Sequence, residues 1–184
     1  MEINYRPIGI IHSPFQDIAE MPIQPTGAFK IRGYIRVFPE FAPGLKDLIG
    51  FSHIILLYHF HLVQETKLLV TPFMDSQPHR VFATRAPKRP NPIGLSIVKL
   101  LSVEQGKQNI LHIENVDIID GTPLLDIKPY VPEFDQHPAD RVGWLEQAKG
   151  KVQRKKSDDR FRRPENKKTS SCTALEVAGS SGRT

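Results

Sequence analysis

Apolar and polar residues alternate over several short stretches of the chain, with turn residues between them. Over residues 29–38, Phe29, Ile31, Gly33, Ile35 and Val37 share one side of a predicted strand, and Lys30, Arg32, Tyr34 and Arg36 the other. Pro39 and Pro43-Gly44 end that run. Residues 52–62 repeat the pattern, with Ile54, Leu56, Tyr58 and Phe60 on one side and His53, Ile55, Leu57, His59 and His61 on the other. Runs at 8–12, 67–70, 81–84, 95–103, 110–119 and 124–127 read as further strands, and Gly106 with Gln108-Asn109 marks a hairpin. Seven or eight short strands predict a mainly β fold, either a barrel or a sandwich. Helices are expected only as short pieces, at 45–49 and 141–149. Residues 16–27, with Pro22 and Pro25, read as a long loop, and a loop of that length in a compact domain is functional or disordered.

One connecting segment is too stiff for a plain linker. Between Phe82 and Ser96, Pro87, Pro90 and Pro92 each fix φ and remove a backbone donor. The residues before them, Ala86, Arg89 and Asn91, are pushed toward extended backbone. The loop therefore presents Arg85, Lys88, Arg89 and Asn91 from a rigid frame, and rigidity lowers the ordering cost of holding a charged ligand. A proline-rich surface turn is the plainer alternative. A second constellation is Asp120-Gly121-Thr122-Pro123, a turn in which Gly121 can take positive φ and the Asp120 and Thr122 side chains can clamp a polar group. An ordinary hairpin turn would look the same. Just beyond it, Asp126 and Lys128 alternate so that both side chains face one side, followed by Tyr130.

Composition narrows the possible chemistry. At 184 residues the chain fits one main domain. No apolar run approaches a membrane span, and the N-terminus lacks a basic segment followed by an apolar one. The single Cys172 excludes an intrachain disulfide framework and a cysteine metal cage, which fits a reduced, cytoplasmic setting. His53, His59 and His61 share a strand face, but no HExxH or second histidine pair accompanies them, so no metal is expected. Glycine-rich dinucleotide and phosphate fingerprints and the GxSxG elbow are missing. The net charge of +5 is unevenly spread. Residues 149–184 carry eleven Lys and Arg against four Asp and Glu, a net of +7, which leaves fourteen against sixteen in residues 1–148. The expected organisation is a β-domain over 1–148 and a basic, flexible tail over 149–184 that attracts phosphates or only aids solubility.

These residues carry a family resemblance. Arg6-Pro-Ile-Gly-Ile-Ile-His-Ser-Pro14, Gln24-Pro25, Gly50-Phe-Ser-His-Ile54, Phe60-His61, Val81-Phe-Ala-Thr-Arg85, Arg89-Pro-Asn-Pro-Ile-Gly94 and Asp120-Gly-Thr-Pro with Asp126-Ile-Lys-Pro-Tyr130 occur in this order. Over about residues 5–132 the chain resembles the β-barrel S-adenosylmethionine-dependent tRNA methyltransferases, which act on N6 of threonylcarbamoyl-adenosine beside the anticodon. The resemblance implies a small single-sheeted antiparallel β-barrel working as a homodimer, with S-adenosyl-L-methionine as methyl donor and tRNA as partner. It implies donor contacts at Gln24, Pro25, Thr26, Gly27, His61, Leu62, Arg85, Leu95, Asp120, Gly121, Thr122 and Pro123. Arg85, Asp120, Lys128 and Tyr130 are the candidate catalytic groups, and Lys88, Arg89 and Asn91 the candidate substrate contacts. Rival readings are a barrel that uses the same donor on another substrate and a non-catalytic nucleic-acid-binding barrel.

Overall fold

The computed structural model describes residues 2–18, 21–22, 27–106, 108–148, 157–158 and 161. Gln24, Pro25 and Thr26, and all but three residues of the tail, lie outside them. The strands are β1 (Gly9–His12), β2 (Arg32–Val37), β3 (His53–His59), β4 (Leu69–Val70), β5 (His79–Arg80), β6 (Ile93–Glu104), β7 (Ile110–Glu114) and β8 (Thr122–Pro129). Six of them close into a barrel in the order β1-β2-β7-β6-β3-β8, every pairing antiparallel, while β4 and β5 pair only with each other. Closure leaves no free edge in the main sheet.

Period-two patterning explains the interior. In β3, Ile54, Leu56 and Tyr58 point inward and are buried, while their neighbours are half-buried. Ile11, Ile35, Val98, Leu111, Ile113 and Leu124 join them to fill the barrel. Burying a side chain of this kind is worth roughly 1.5–3 kcal/mol. At the end of β3, Tyr58 faces Gly94 of β6. A Cβ at Gly94 would lie 2.2 Å from the Tyr58 ring, so the glycine is what lets that ring lie inside. The register slips between Leu57 and Tyr58 against β8 and between Leu100 and Ser102 against β7, and such bulges bend strands around a closed barrel.

Five local expectations are corrected. Residues 81–84 form a 3-10 turn, Val81–Ala83, because Thr84 bonds back to the Val81 carbonyl through both its N–H (3.0 Å) and its Oγ1 (2.8 Å). The run at 110–119 leaves the sheet after Glu114, where Asn115 takes a φ of 69° and its N–H turns to the Ile31 carbonyl. The strand expected from residue 29 starts at Arg32, since Lys30 has a φ of 63° and its N–H bonds the Asn115 side chain at 3.0 Å. The helix expected at 45–49 is replaced by 3-10 segments Pro39–Leu45 and Leu48–Gly50, with Pro43 inside the first. Residues Gly143–Ala148 are likewise 3-10. Among the described residues no helix is long and apolar enough to cross a membrane.

Candidate active site at one rim of the barrel

The end of β3, the start of β6, the start of β8, the 115–121 loop and the proline-rich loop all meet at the same rim. A cavity of about 300 Å³ opens there, lined by Tyr58, Phe60, His61, Leu62, Arg85, Arg89, Leu95, Asp117 and Thr122 among others. Volumes from about 300 Å³ upward suit a small-molecule ligand. The proline-rich loop is stitched to this rim through its backbone. Phe60 N–H donates to the Pro92 carbonyl (2.8 Å), Lys67 N–H to Lys88 O (3.1 Å), and Ile93 N–H to Asn91 O (2.7 Å). Arg89 reinforces the loop from inside, donating its guanidinium to the carbonyls of Val81 (3.2 Å) and Thr84 (3.1 Å).

The polar centre of the cavity is Asp117. Ser96, an inward-facing hydroxyl on β6, donates to Asp117 Oδ1 at 2.7 Å. Ser96 Oγ also lies 3.1 Å from the Tyr58 hydroxyl. Because the Ser96 proton is used toward Asp117, Tyr58 donates to Ser96, and the three form a directed chain. Burial pushes the Asp117 carboxyl up to about 6, against the pull of the Ser96 hydroxyl and the Arg85 charge. Burial, with the Asp117 charge behind it, also raises Tyr58, which keeps its proton.

His61 adds a second unusual group. Its Nδ1 is buried without a hydrogen-bond partner. Burial, and then the adjacent His59, lower its pKa, so the ring is neutral near pH 7. A buried polar atom without a partner costs on the order of 1–3 kcal/mol. Among the described residues no three His, Cys, Asp or Glu side chains cluster as a metal site would need.

The structure distributes the expected site residues unevenly. His61, Leu62, Arg85, Arg89, Leu95 and Thr122 line the cavity, and Leu62 and Leu95 stand half-exposed at its mouth. Gly121 has the expected positive φ, 74°. Gly121 and Pro123 flank the wall without lining it. Asp120 turns toward β1 instead. Its Oδ1 accepts from Ser13 N–H (3.1 Å) and lies 3.2 Å from His12 Nδ1, while its own N–H donates to Phe15 O. Burial alone would raise this carboxyl, but the Ser13 amide and His12 outweigh it and hold Asp120 below its usual value. Asp120→Ala should therefore cost about 1–2 kcal/mol in urea unfolding at neutral pH. The wild-type advantage is present above about pH 4 and fades as pH falls through the depressed native value.

Lys88 pairs with Glu65, and Asn91 is exposed. Gly27 is half-buried at the end of its loop. Lys128 and Asp126 do face the same side, and they pair with each other at 2.8 Å. Lys128 and Tyr130 sit toward the opposite rim, where Tyr130 N–H bonds His53 O. Six residue steps along β8 take the chain from Thr122 to Lys128, roughly 20 Å of strand. Within one chain they do not meet the cavity.

In the sequence, Asp117 and Asp120 read as paired carboxylates that lack the context of a glycosidase, and Asp117 draws no other role. The available signal was a polar inner face: Ser96 and Tyr58 both fall on inward positions, and two buried hydroxyls need a polar partner. The tail also contributes. Ser157 N–H donates to Met21 O at 2.8 Å, and both Ser157 and Phe161 line the cavity. Phe161 is buried against Val70, Val81 and Ala86 and meets the Phe73 ring edge-on at 5.0 Å. On the far side of the proline-rich loop, Phe82, Trp144, Phe73, Arg85 and Phe161 border a second cavity of about 580 Å³.

Residues 10–136 match the family described as tRNA-methyltransferase O N-terminal domain. A Pyrococcus abyssi protein named as a probable S-adenosyl-L-methionine-binding protein is 58% identical, covering 86% of this chain and 85% of its own length. The tRNA (adenine(37)-N6)-methyltransferase of Escherichia coli is 34% identical over 78% of this chain and 64% of its own. The crystal structure of TrmO from Pseudomonas aeruginosa superposes with a TM-score of 0.64 at 38% identity, covering 78% of this chain. This chain spans 63% of that protein's length.

Proposed function

The chain belongs to the tRNA-methyltransferase O N-terminal domain family, and from that premise we propose that it uses S-adenosyl-L-methionine to methylate N6 of adenosine 37 beside the tRNA anticodon. The substrate form we propose is threonylcarbamoyl-adenosine, whose N6 belongs to a urea and gives up its proton more readily than an amine. The carrying observation is the rim cavity, in which an apolar wall, the His61 ring, the Arg85 cation and the Asp117 carboxylate converge.

The residues present fit the donor. Phe60, Leu62 and Leu95 offer apolar surface for an adenine, and the His61 ring stands in the same wall. Arg85 suits a carboxylate, which its planar fork can take in two parallel bonds. Bound there, S-adenosyl-L-methionine would supply an electrophilic methyl group on a positively charged sulfur. The chain contributes binding, orientation and exclusion of water, and near-attack positioning is the main source of rate in such a transfer. Gln24, Pro25, Thr26, Gly27 and the Asp120–Pro123 turn are proposed to complete the donor contacts, with Arg89 and Asn91 toward the modified base and Lys88 toward phosphate. Phe82, 78% exposed, borders the neighbouring cavity and offers a ring face to anticodon-loop bases, while Trp144 beside it stacks on His79 at 4.6 Å. We propose a homodimer, which would cover the half-exposed Leu62 and Leu95 at the rim.

Two measurements test the reading. Calorimetry should detect S-adenosyl-L-methionine binding, and nucleoside mass spectrometry of tRNA treated with the protein should show a new methyl group on N6 of adenosine 37. Binding without that methyl group would leave a donor-binding barrel with another substrate. Absence of both would remove the enzyme reading.

The tail carries a prediction of its own. Removing residues 149–184 should weaken tRNA binding most at low salt, because each neutralised phosphate adds roughly 0.7–0.9 to the salt slope. It should also weaken donor binding, because Ser157 and Phe161 leave the cavity wall. Paired fluorescence titrations of tRNA at two salt concentrations and of the donor read both effects. An unchanged salt slope would make the tail's charge irrelevant to RNA.

A further inference from the structure

Asp117 lines the cavity from the 115–121 loop, and no other carboxylate borders it among the described residues. Its setting is built. The Tyr58 hydroxyl points to Ser96, and the Ser96 hydroxyl points to Asp117 at 2.7 Å. Such a chain fixes the carboxylate's orientation. The charged and titratable groups facing it are Arg85 and Arg89 from the proline-rich loop, His61 from the segment after β3, and Tyr58 from β3. We propose that Asp117 is the proton acceptor of the methyl transfer and the counter-charge that draws the cationic donor to the rim.

This rests on the methyltransferase reading above. In the step, the N6 nitrogen of the base gives its lone pair to the methyl carbon. The sulfur–carbon pair stays on sulfur, which becomes a neutral thioether. The proton on N6 passes to an Asp117 oxygen and leaves later to solvent. Atoms and charge balance without another reactant. His61 is the competing base, but a cation in the cavity disfavours a second positive charge on its ring, whereas it favours an ionised carboxylate. Unlike Asp120, whose carboxylate is engaged with Ser13 and His12, Asp117 faces the space where a ligand can sit.

The test uses Asp117→Asn in the full chain, with His61→Ala as the comparison. Single-turnover methylation of tRNA should fall at least 100-fold in Asp117→Asn, the scale of a lost general base, and less in His61→Ala. The wild-type rate should rise with pH through an acid limb near or below 6, and that limb should be absent from the asparagine variant. A second readout needs no turnover. Calorimetry compares S-adenosyl-L-methionine with S-adenosyl-homocysteine, which differs in having a neutral sulfur. Wild type should prefer the cation more at pH 8 than at pH 5, and Asp117→Asn should lose that pH dependence. Thermal melts establish that the variant folds, and Asp117→Ser replaces it if it does not.

A variant within threefold of wild type, with the same acid limb and the same preference for the cation, would overturn the proposal. If wild type leaves tRNA unmethylated, the methyltransferase reading fails separately. Calorimetry then still decides the counter-charge role: a pH-dependent preference for the cation supports it, and a flat one removes it.

Discussion

Gly94→Ala is expected to lower stability by about 3 kcal/mol, the upper range for forcing extra volume into a packed interior. For a chain of this size that is a fall of roughly 10 °C in the melting temperature. The reason is local. The added Cβ would lie 2.2, 2.4 and 2.8 Å from three atoms of the Tyr58 ring, and real Cβ atoms essentially never come that close. The ring has nowhere to go. It is buried, packs edge-on to Phe60 at 5.4 Å, and holds Ser96 through its hydroxyl. Either the β3–β6 register opens or Tyr58 leaves, and both disturb Asp117. Differential scanning calorimetry reads the stability. Restoring space with Gly94→Ala/Tyr58→Leu should recover stability without recovering activity, because the Tyr58–Ser96–Asp117 chain is then broken. A Gly94→Ala protein with an unchanged melting temperature would show that the two strands are not held as described.

Arg85→Ala should weaken donor binding or turnover at least tenfold while leaving the melting temperature within a few degrees. The fold-change corresponds to one lost charge-assisted contact, about 1.5–3 kcal/mol. The side chain is exposed at the cavity edge, so its removal leaves no hole in the core. Its charge also acts on Asp117, pulling that carboxyl's pKa down against burial. Removing the charge should therefore move the acid limb of the pH–rate profile upward, a shift that loss of a donor contact alone would not produce. Calorimetric donor affinity and the pH profile together separate the two contributions. Arg85→Lys should keep the limb in place yet recover only part of the affinity, since an ammonium lacks the planar fork.

The strand alternation in β3, the hairpin near Gly106 and the Gly121 turn were legible in the sequence because each is a local pattern. The proline-rich loop was also legible as a presenter of Arg85 and Arg89, although one Arg89 guanidinium nitrogen donates to the loop's own carbonyls. What escaped was non-local. Asp117 becomes a site only when Ser96, 21 residues away, and Tyr58, 38 residues from Ser96, fold against it. No window of sequence contains all three. Asp120 and Lys128 show the converse, a partner within the chain that the sequence does not display. Their residue types suggested ligand work, but each finds a partner within the chain, His12 with Ser13 in one case and Asp126 in the other. The 3-10 turn at Val81–Ala83 was missed for a related reason: a β-branched start reads as a strand, and the Thr84 side chain that closes the turn acts through space.

The barrel has two unlike poles. Tyr58, Gly94 and Thr122 stand at one, while the connection between β6 and β7, with Gly106 at a φ of 118° and Asn109 at 50°, closes the other. Twelve residues of β6 separate them. The hairpin tip is therefore the natural place to graft a fluorophore or an affinity handle, because nothing attached there reaches the chemistry. A change of chain length at that tip should leave the opposite pole's Tyr58–Ser96–Asp117 contacts in place, since it touches none of them.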